Sequence, residues 1–226
     1  MHLIERLDGR RLFALAELEV MGTSGDDQIA VGVNNDGDLF ISVNGTTQTA
    51  PRDRYVKILG LDGNDKIHIS TPLVELTEQG QVVQSEGPRY FVDAGAGNDT
   101  VIGSSADDLI TGSGGDDRLY GGGGDDELSG ANGSDTLFGS SGDDTLLGGR
   151  GRDRLQGGEG TNLISGGDGV DRFWLRVRRE DNDLVSAASR TVGSLTYTHF
   201  NYRDGTADLV FGSEIQVEDG ISVAGS

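Results

Sequence analysis

Cysteine is absent from this chain, which excludes a disulfide framework, a thiolate nucleophile and a Cys-based zinc site, and leaves the redox compartment unreadable. Proline is scarce as well, with 3 residues in 226. Aromatic residues make up 6% and hydrophobic residues 34%, so one or two domains of this length have little material for an ordinary core. No apolar run approaches the ~18 residues of a membrane span. Residues 1–20 hold no uninterrupted apolar stretch of the secretory type, so export would use another route or a signal already removed. Positive charge is also in short supply, 18 Lys and Arg against 38 Asp and Glu, for a net charge of -20. That balance argues against nucleic acid and anionic membrane surfaces as partners and points to cations. Such self-repulsion opposes compaction, and a loosened chain is expected without counter-ions.

What the chain has in excess is glycine, 38 residues, about one in six where roughly 7% is usual. Glycine at this density without proline predicts tight turns repeated many times. An internal period of nine accounts for it. Frames open at Ala94, Gly103, Gly112, Gly121, Gly130, Gly139, Gly148, Gly157 and Gly166 without insertion or deletion. Position six reads Asp99, Asp108, Asp117, Asp126, Asp135, Asp144, Asp153, Asn162 and Asp171. Position eight reads Val101, Ile110, Leu119, Leu128, Leu137, Leu146, Leu155, Ile164 and Phe173. Position four is glycine except at Ala106, a residue that replaces a glycine the turn is expected to need.

A short strand around position eight, such as Arg118-Leu119-Tyr120, turns one apolar side chain inward and its neighbours outward. Alone it buries nothing, but stacked turns of a solenoid place the position-eight residues in one internal row. Two frames per coil give two strand rows facing each other across a thin core. Glycine-rich runs such as residues 121–126, GGGGDD, turn the chain between strands and aim carbonyl oxygens inward. Carboxylates and main-chain carbonyls in number are the hard oxygen ligands that Ca²⁺ selects. A solvated acidic face or isolated Asp-Gly turns would need no fixed phase between acid, glycine and apolar residue.

The pattern Gly-Gly-x-Gly-x-Asp-x-apolar-x resembles the haemolysin-type, or RTX, calcium-binding nonapeptide, most closely at residues 121–129, GGGGDDELS, and 148–156, GGRGRDRLQ. The resemblance implies ions held between turns one coil apart by the position-six acids and by turn carbonyls. The expected metal residues are Asp99, Asp108, Asp117, Asp126, Asp135, Asp144, Asp153, Asp171 and Asn162, with Gly97, Gly112, Gly115, Gly121, Gly122, Gly124, Gly130, Gly133, Gly142, Gly149 and Gly151 in the turns. Frames n and n+2 would share an ion, so nine frames offer at most seven sites in two columns. Asn162 brings no charge and marks a weaker rung.

Two earlier copies of the turn occur at residues 22–29, GTSGDDQI, and 60–67, GLDGNDKI, so that Asp27, Asp65 and Asp99 are spaced by 38 and 34 residues. They read as longer solenoid coils with this turn at one corner, and Asp27 and Asp65 join the metal candidates. Segments 39–43, 55–59 and 89–92 are expected to form the other walls. Residues 34–38, NNDGD, lack the closing acid of an EF-hand and read as a hairpin turn. Residues 4–14 resemble the short Leu-Glu-x-Arg-x-Leu type motif at the start of exported planctomycete proteins; the alternative is an amphipathic segment capping the solenoid.

Beyond Trp174 the period stops and apolar residues including Leu175, Tyr197, Phe200 and Phe211 accumulate near the basic Arg176, Arg178 and Arg179. This fits a cap on the last coil, the alternative being the start of a further domain. No catalytic machinery is expected: His2, His68 and His199 lie outside any zinc helix motif, and no Gly-x-Ser-x-Gly elbow occurs. Adjacent acids such as Asp116 and Asp117 point to opposite sides of a strand and are explained by the repeat.

The chain is thus expected to be all-β, a parallel β-roll or β-helix solenoid, with residues 1–21 as an N-terminal cap or targeting segment, 22–93 as longer coils, 94–174 as the roll and 175–226 as a C-terminal cap. The expected function is a secreted or cell-surface module that folds on loading several Ca²⁺ ions. An accessory fragment of a larger exported enzyme or adhesin is the alternative, and protein partner and oligomeric state are left open.

Overall fold

The structure is a computed structural model that describes residues 17–34, 37–50, 55–70, 74–76, 82–84, 90–174, 184–192, 195–202 and 207–211. The motif at residues 4–14, the basic cluster at Arg176, Arg178 and Arg179, and the stretch 212–226 lie outside the described residues.

The strands in chain order are β1 (Glu17–Met21), β2 (Gln28–Val33), β3 (Leu39–Val43), β4 (Thr46–Ala50), β5 (Tyr55–Leu59), β6 (Lys66–Ser70), β7 (Val74–Leu76) and β8 (Val82–Gln84). The ladder supplies β9 (Tyr90–Ala96), β10 (Thr100–Ile102), β11 (Leu109–Gly114), β12 (Arg118–Gly123), β13 (Glu127–Asn132), β14 (Thr136–Ser141), β15 (Thr145–Gly151), β16 (Arg154–Glu159), β17 (Leu163–Gly169) and β18 (Arg172–Phe173). After it come β19 (Leu184–Val192), β20 (Leu195–Tyr202) and β21 (Ala207–Phe211).

The chain is all-β, and among the described residues there is no helix. Two sheets face each other: a first wall in the order β1-β5-β9-β11-β13-β15-β17-β21-β20-β19, and a second in the order β18-β16-β14-β12-β10-β6-β2-β3-β4. Through the ladder, strands pair in parallel with the strand two frames on, Leu119 opposite Leu137 and Leu128 opposite Leu146, so a coil is 18 residues and two frames. Each repeat is too small to bury its own apolar residue, and the stack solves this. All nine position-eight side chains, from Val101 to Phe173, are fully buried in one cluster, and burying a side chain of this size contributes roughly 1.5–3 kcal/mol. On the outer face Tyr120 stacks on Phe138 with ring centroids 5.1 Å apart, a cross-strand pair that supports the register.

The coils before residue 94 use the same two walls. Strands β1, β5 and β9 continue the first wall, while β2 and β6 continue the second. Leu39–Val43, expected to form one of the other walls of the early coils, lies instead in the second wall beside β2. β3 folds back antiparallel on β2, and β4 on β3, extending the second wall beyond β2 with Leu39 and Ile41 in the core. The cause is local: Asn44 and Gly45 have φ of 50° and 79°, the two left-handed residues of a two-residue hairpin whose twist suits its strands. β2 and β3 pair as antiparallel neighbours, and at their joined end Asp38 N–H donates to Asn34 Oδ1 at 2.9 Å. After the ladder, β21 pairs in parallel with β17 and carries β20 and β19 antiparallel, so the first wall does not end at β17.

Candidate metal centre

Each corner of the solenoid is a six-residue turn that runs from position one to position six. Position six is the last residue before a strand, so its side chain points inward with the apolar row. Asp65, Asp99, Asp117, Asp126, Asp135, Asp144 and Asp153 are all at most 2% exposed. The turns form two columns. The first holds Asp27, Asp65, Asp99, Asp117, Asp135, Asp153 and Asp171; the second holds Asp108, Asp126, Asp144 and Asn162.

Within a column the acids are wired in series. The N–H of each donates to Oδ1 of the next coil's acid: Asp65 to Asp99 at 2.7 Å, Asp99 to Asp117 and Asp117 to Asp135 at 2.8 Å, and Asp153 to Asp171 at 3.0 Å. The separations of 38 and 34 residues in the early coils leave this wiring intact; the extra length includes β3 and β4, which extend the second wall, and the separate pair β7–β8.

In six of these acids one oxygen is used in this way and the other is not. The Oδ2 atoms of Asp65, Asp99, Asp117, Asp126, Asp135 and Asp153 are buried without any hydrogen-bond partner. Among the described residues no Lys or Arg is paired with these six acids. A buried unpaired carboxylate oxygen is costly. Burial raises the Asp126 carboxyl to about 8, with the charges of Asp108 and Asp144 adding to it against one N–H bond that lowers it. Asp117 is raised to about 7, and Asp99 and Asp153 to about 6, by burial first and by neighbouring acids as well. Asp65 and Asp135 are raised for the same leading reason.

The space around Oδ2 is kept open by glycine at position one. A Cβ at Gly121 would collide with Asp126 Oδ2, and Gly139 O of the next coil faces the same spot. Gly130 and Gly148 face Asp135 and Asp153 with Gly148 O and Gly166 O beside them, and Gly112 faces Asp117. Ala94 is the one position-one residue of the ladder that carries a methyl group. Positions two and four are left-handed in every turn from residue 60 onward except the one at 103–108. Gly97, Gly115, Gly124, Gly133, Gly142 and Gly151 do so at position four, and Gly122 and Gly149 at position two. Leu61, Ser113, Ala131 and Ser140 hold this conformation at position two despite their side chains, with φ between 74° and 90°. Strain of this kind, roughly 1–3 kcal/mol each, persists only where the surroundings impose it.

A buried anionic oxygen, a neighbouring carbonyl and a cradle that a methyl would fill suit a hard cation. Among the described residues no three His, Cys, Asp or Glu side chains converge to hold a metal. An ion here would draw one acid per turn and the rest of its oxygens from the main chain. Asn162 departs from this. Its Oδ1 accepts the Asp144 N–H at 3.0 Å, so the ladder bond survives, but its Nδ2 faces Gly157 where other turns present Oδ2.

The family model for the RTX calcium-binding nonapeptide repeat matches four overlapping stretches, 93–128, 102–137, 120–155 and 147–175. The ladder is an RTX calcium-binding repeat array. Comparison with curated proteins gives no significant match. The RTX repeat is a structural calcium-binding unit, and its parallel roll agrees with the two-walled stack seen here.

The period did not reveal a second, outer ladder at position five. Asp116, Asp125 and Asp143 accept the N–H of Ser134, Asp143 and Thr161 through Oδ1 at 2.7–2.8 Å, while Asn98 accepts from Asp116. Its signal was in the sequence: position five is Asp or Asn in most turns, a residue that bonds the backbone through a short side chain. No helix among the described residues is long and apolar enough to cross a membrane, and His68 is an exposed outward residue of β6.

Proposed function

We propose that each Ca²⁺ ion is shared by two successive turns of one column, held by position-six carboxylates such as Asp117 and Asp135 and by main-chain carbonyls of the turns. The observation that carries this reading is the set of six buried carboxylate oxygens without a partner. When bound, calcium supplies the positive charge that cancels them. The metal-free roll concentrates unneutralised acids in a chain of net charge -20, so calcium and folding are coupled: ligand that binds only the native state adds to its stability.

Such a chain stays loosened where calcium is scarce and orders where it is plentiful, which suits a module exported to the cell surface or beyond. Far-UV circular dichroism in EGTA, followed by titration with CaCl₂, tests the coupling. Strand signal should rise cooperatively on reaching roughly millimolar Ca²⁺, the range of extracellular modules, and isothermal titration should register several ions per chain. Strand signal indifferent to chelation, with no heat of binding, would overturn the reading.

A further inference from the structure

The two turns that begin the columns, residues 22–27 and 103–108, are built differently from all the others. Neither has a left-handed residue at position two or four, whereas each of the nine other turns has both. In each, the position-two N–H swings onto the turn's own acid, Thr23 N–H to Asp27 Oδ2 at 2.6 Å and Ser104 N–H to Asp108 Oδ2 at 2.7 Å. The hydroxyls repeat the same pattern. Thr23 Oγ1 accepts from Gly25 N–H and Ser104 Oγ from Ala106 N–H, and each hydroxyl lies near the position-four carbonyl.

The reason lies in the wiring. Every later acid receives an N–H at Oδ1 from the position-six acid one coil before it, whereas among the described residues Asp27 and Asp108 receive none from such an acid. Other donors take that place: Asn44 Nδ2 for Asp27, from the β3–β4 hairpin, and Tyr90 N–H for Asp108 at 3.3 Å. Both oxygens of Asp27 and of Asp108 are engaged, in contrast to the six orphaned Oδ2 atoms. Ala106 is thereby explained. A position four with ordinary φ tolerates a Cβ, and the glycine expected there is not required.

Resting on the calcium reading above, we propose that the turns holding Asp27 and Asp108 are metal-free caps, and that ion sites begin one coil further on, with Asp65 in the first column and Asp126 in the second. This assigns a calcium site to the Gly60–Asp65 turn, outside the repeats matched by the family model, where Leu61 and Gly63 have φ of 82° and 124° and Asp65 Oδ2 is orphaned. The gap between the 103–108 and 121–126 turns is withdrawn. Of nine gaps between successive turns, seven then have ion-type turns on both sides. The caps present ordered N–H groups to Asp65 and Asp126, both at 2.8 Å, before any ion is bound.

The test counts ions on the full chain by native mass spectrometry at saturating Ca²⁺. Asp27→Asn and Asp108→Asn should retain the wild-type number, and Asp65→Asn and Asp126→Asn should each lose at least one. Should a cap variant fail to fold, Gly25→Ala serves instead, since a Cβ there meets nothing. It should keep both ion number and Ca²⁺ midpoint within twofold, while Gly63→Ala loses an ion. Loss of an ion from a cap variant that retains its strand signal, or from Gly25→Ala, overturns the proposal. A wild-type chain that binds no calcium would instead refute the parent reading.

Discussion

Stripped of calcium, the roll is expected to lose stability as the pH rises from 5 to 8. A carboxyl whose folded pKa lies above its unfolded value, here 3.8, holds its proton more tightly when folded. Its contribution is whole below about pH 4 and is lost as pH climbs through the folded value. Each pH unit over which such a group is protonated only in the folded state removes about 1.4 kcal/mol. Asp126, raised to about 8, is in that condition across the whole interval, Asp117 across most of it, and Asp99, Asp108 and Asp153, at about 6, across its first part. Their losses act in one direction and amount to several kcal/mol, a large share of a domain's stability of about 5–15 kcal/mol. Asp27 acts in the opposite sense. Burial works against its ionisation, but donors from Thr23 and Asn44 outweigh this and hold its carboxyl low. Its contribution is therefore lost only as pH falls below the ordinary value. With saturating Ca²⁺ the dependence reverses, because ligation needs the ionised acids. Thermal melts followed by circular dichroism on metal-stripped and calcium-loaded protein at pH 5, 6, 7 and 8 measure both slopes. A metal-free melting temperature that is flat or rising with pH would refute the reasoning.

Other outcomes follow from single positions. Asn162→Asp replaces an amide nitrogen facing Gly157 with a carboxylate oxygen; isothermal titration should show one added or tightened site. Leu128→Ala opens a cavity in a row that is fully buried and should cost about 2–5 kcal/mol in denaturant unfolding of the calcium-loaded form. Gly115→Ala meets a φ of 122° and the Gly97 carbonyl oxygen at once. It should cost more than about 1 kcal/mol, whereas Gly25→Ala should lie within experimental error of wild type.

The roll was legible because a stack imposes phase: one buried acid and one buried apolar residue per coil and wall force the nine-residue spacing of Asp117, Asp126 and Leu119, Leu128 into the chain. The hairpin of β3 and β4 was readable too, since Asn44-Gly45 is its local signal, but the alternation at Leu39–Val43 is the same for a parallel wall strand and for one that folds back antiparallel. Asn162 looked like a ligand that had merely lost its charge. Only the bond from Asp144 N–H decides which end of its amide faces the cradle.

The sequence by itself determined the repeat, its parallel stacking and the oxygen chemistry of its corners, because these depend on residue types at fixed spacing. The tertiary structure alone decided which turns leave the second oxygen of their acid without a partner and which engage both. Residues 22–27 and 121–126 share the glycine and acid spacing, yet Asp126 takes its donor from the acid one coil before it, while Asp27 takes its donors from its own turn and from Asn44. That difference belongs to position in the stack, which sets the donors within reach of each acid, and no local pattern encodes it.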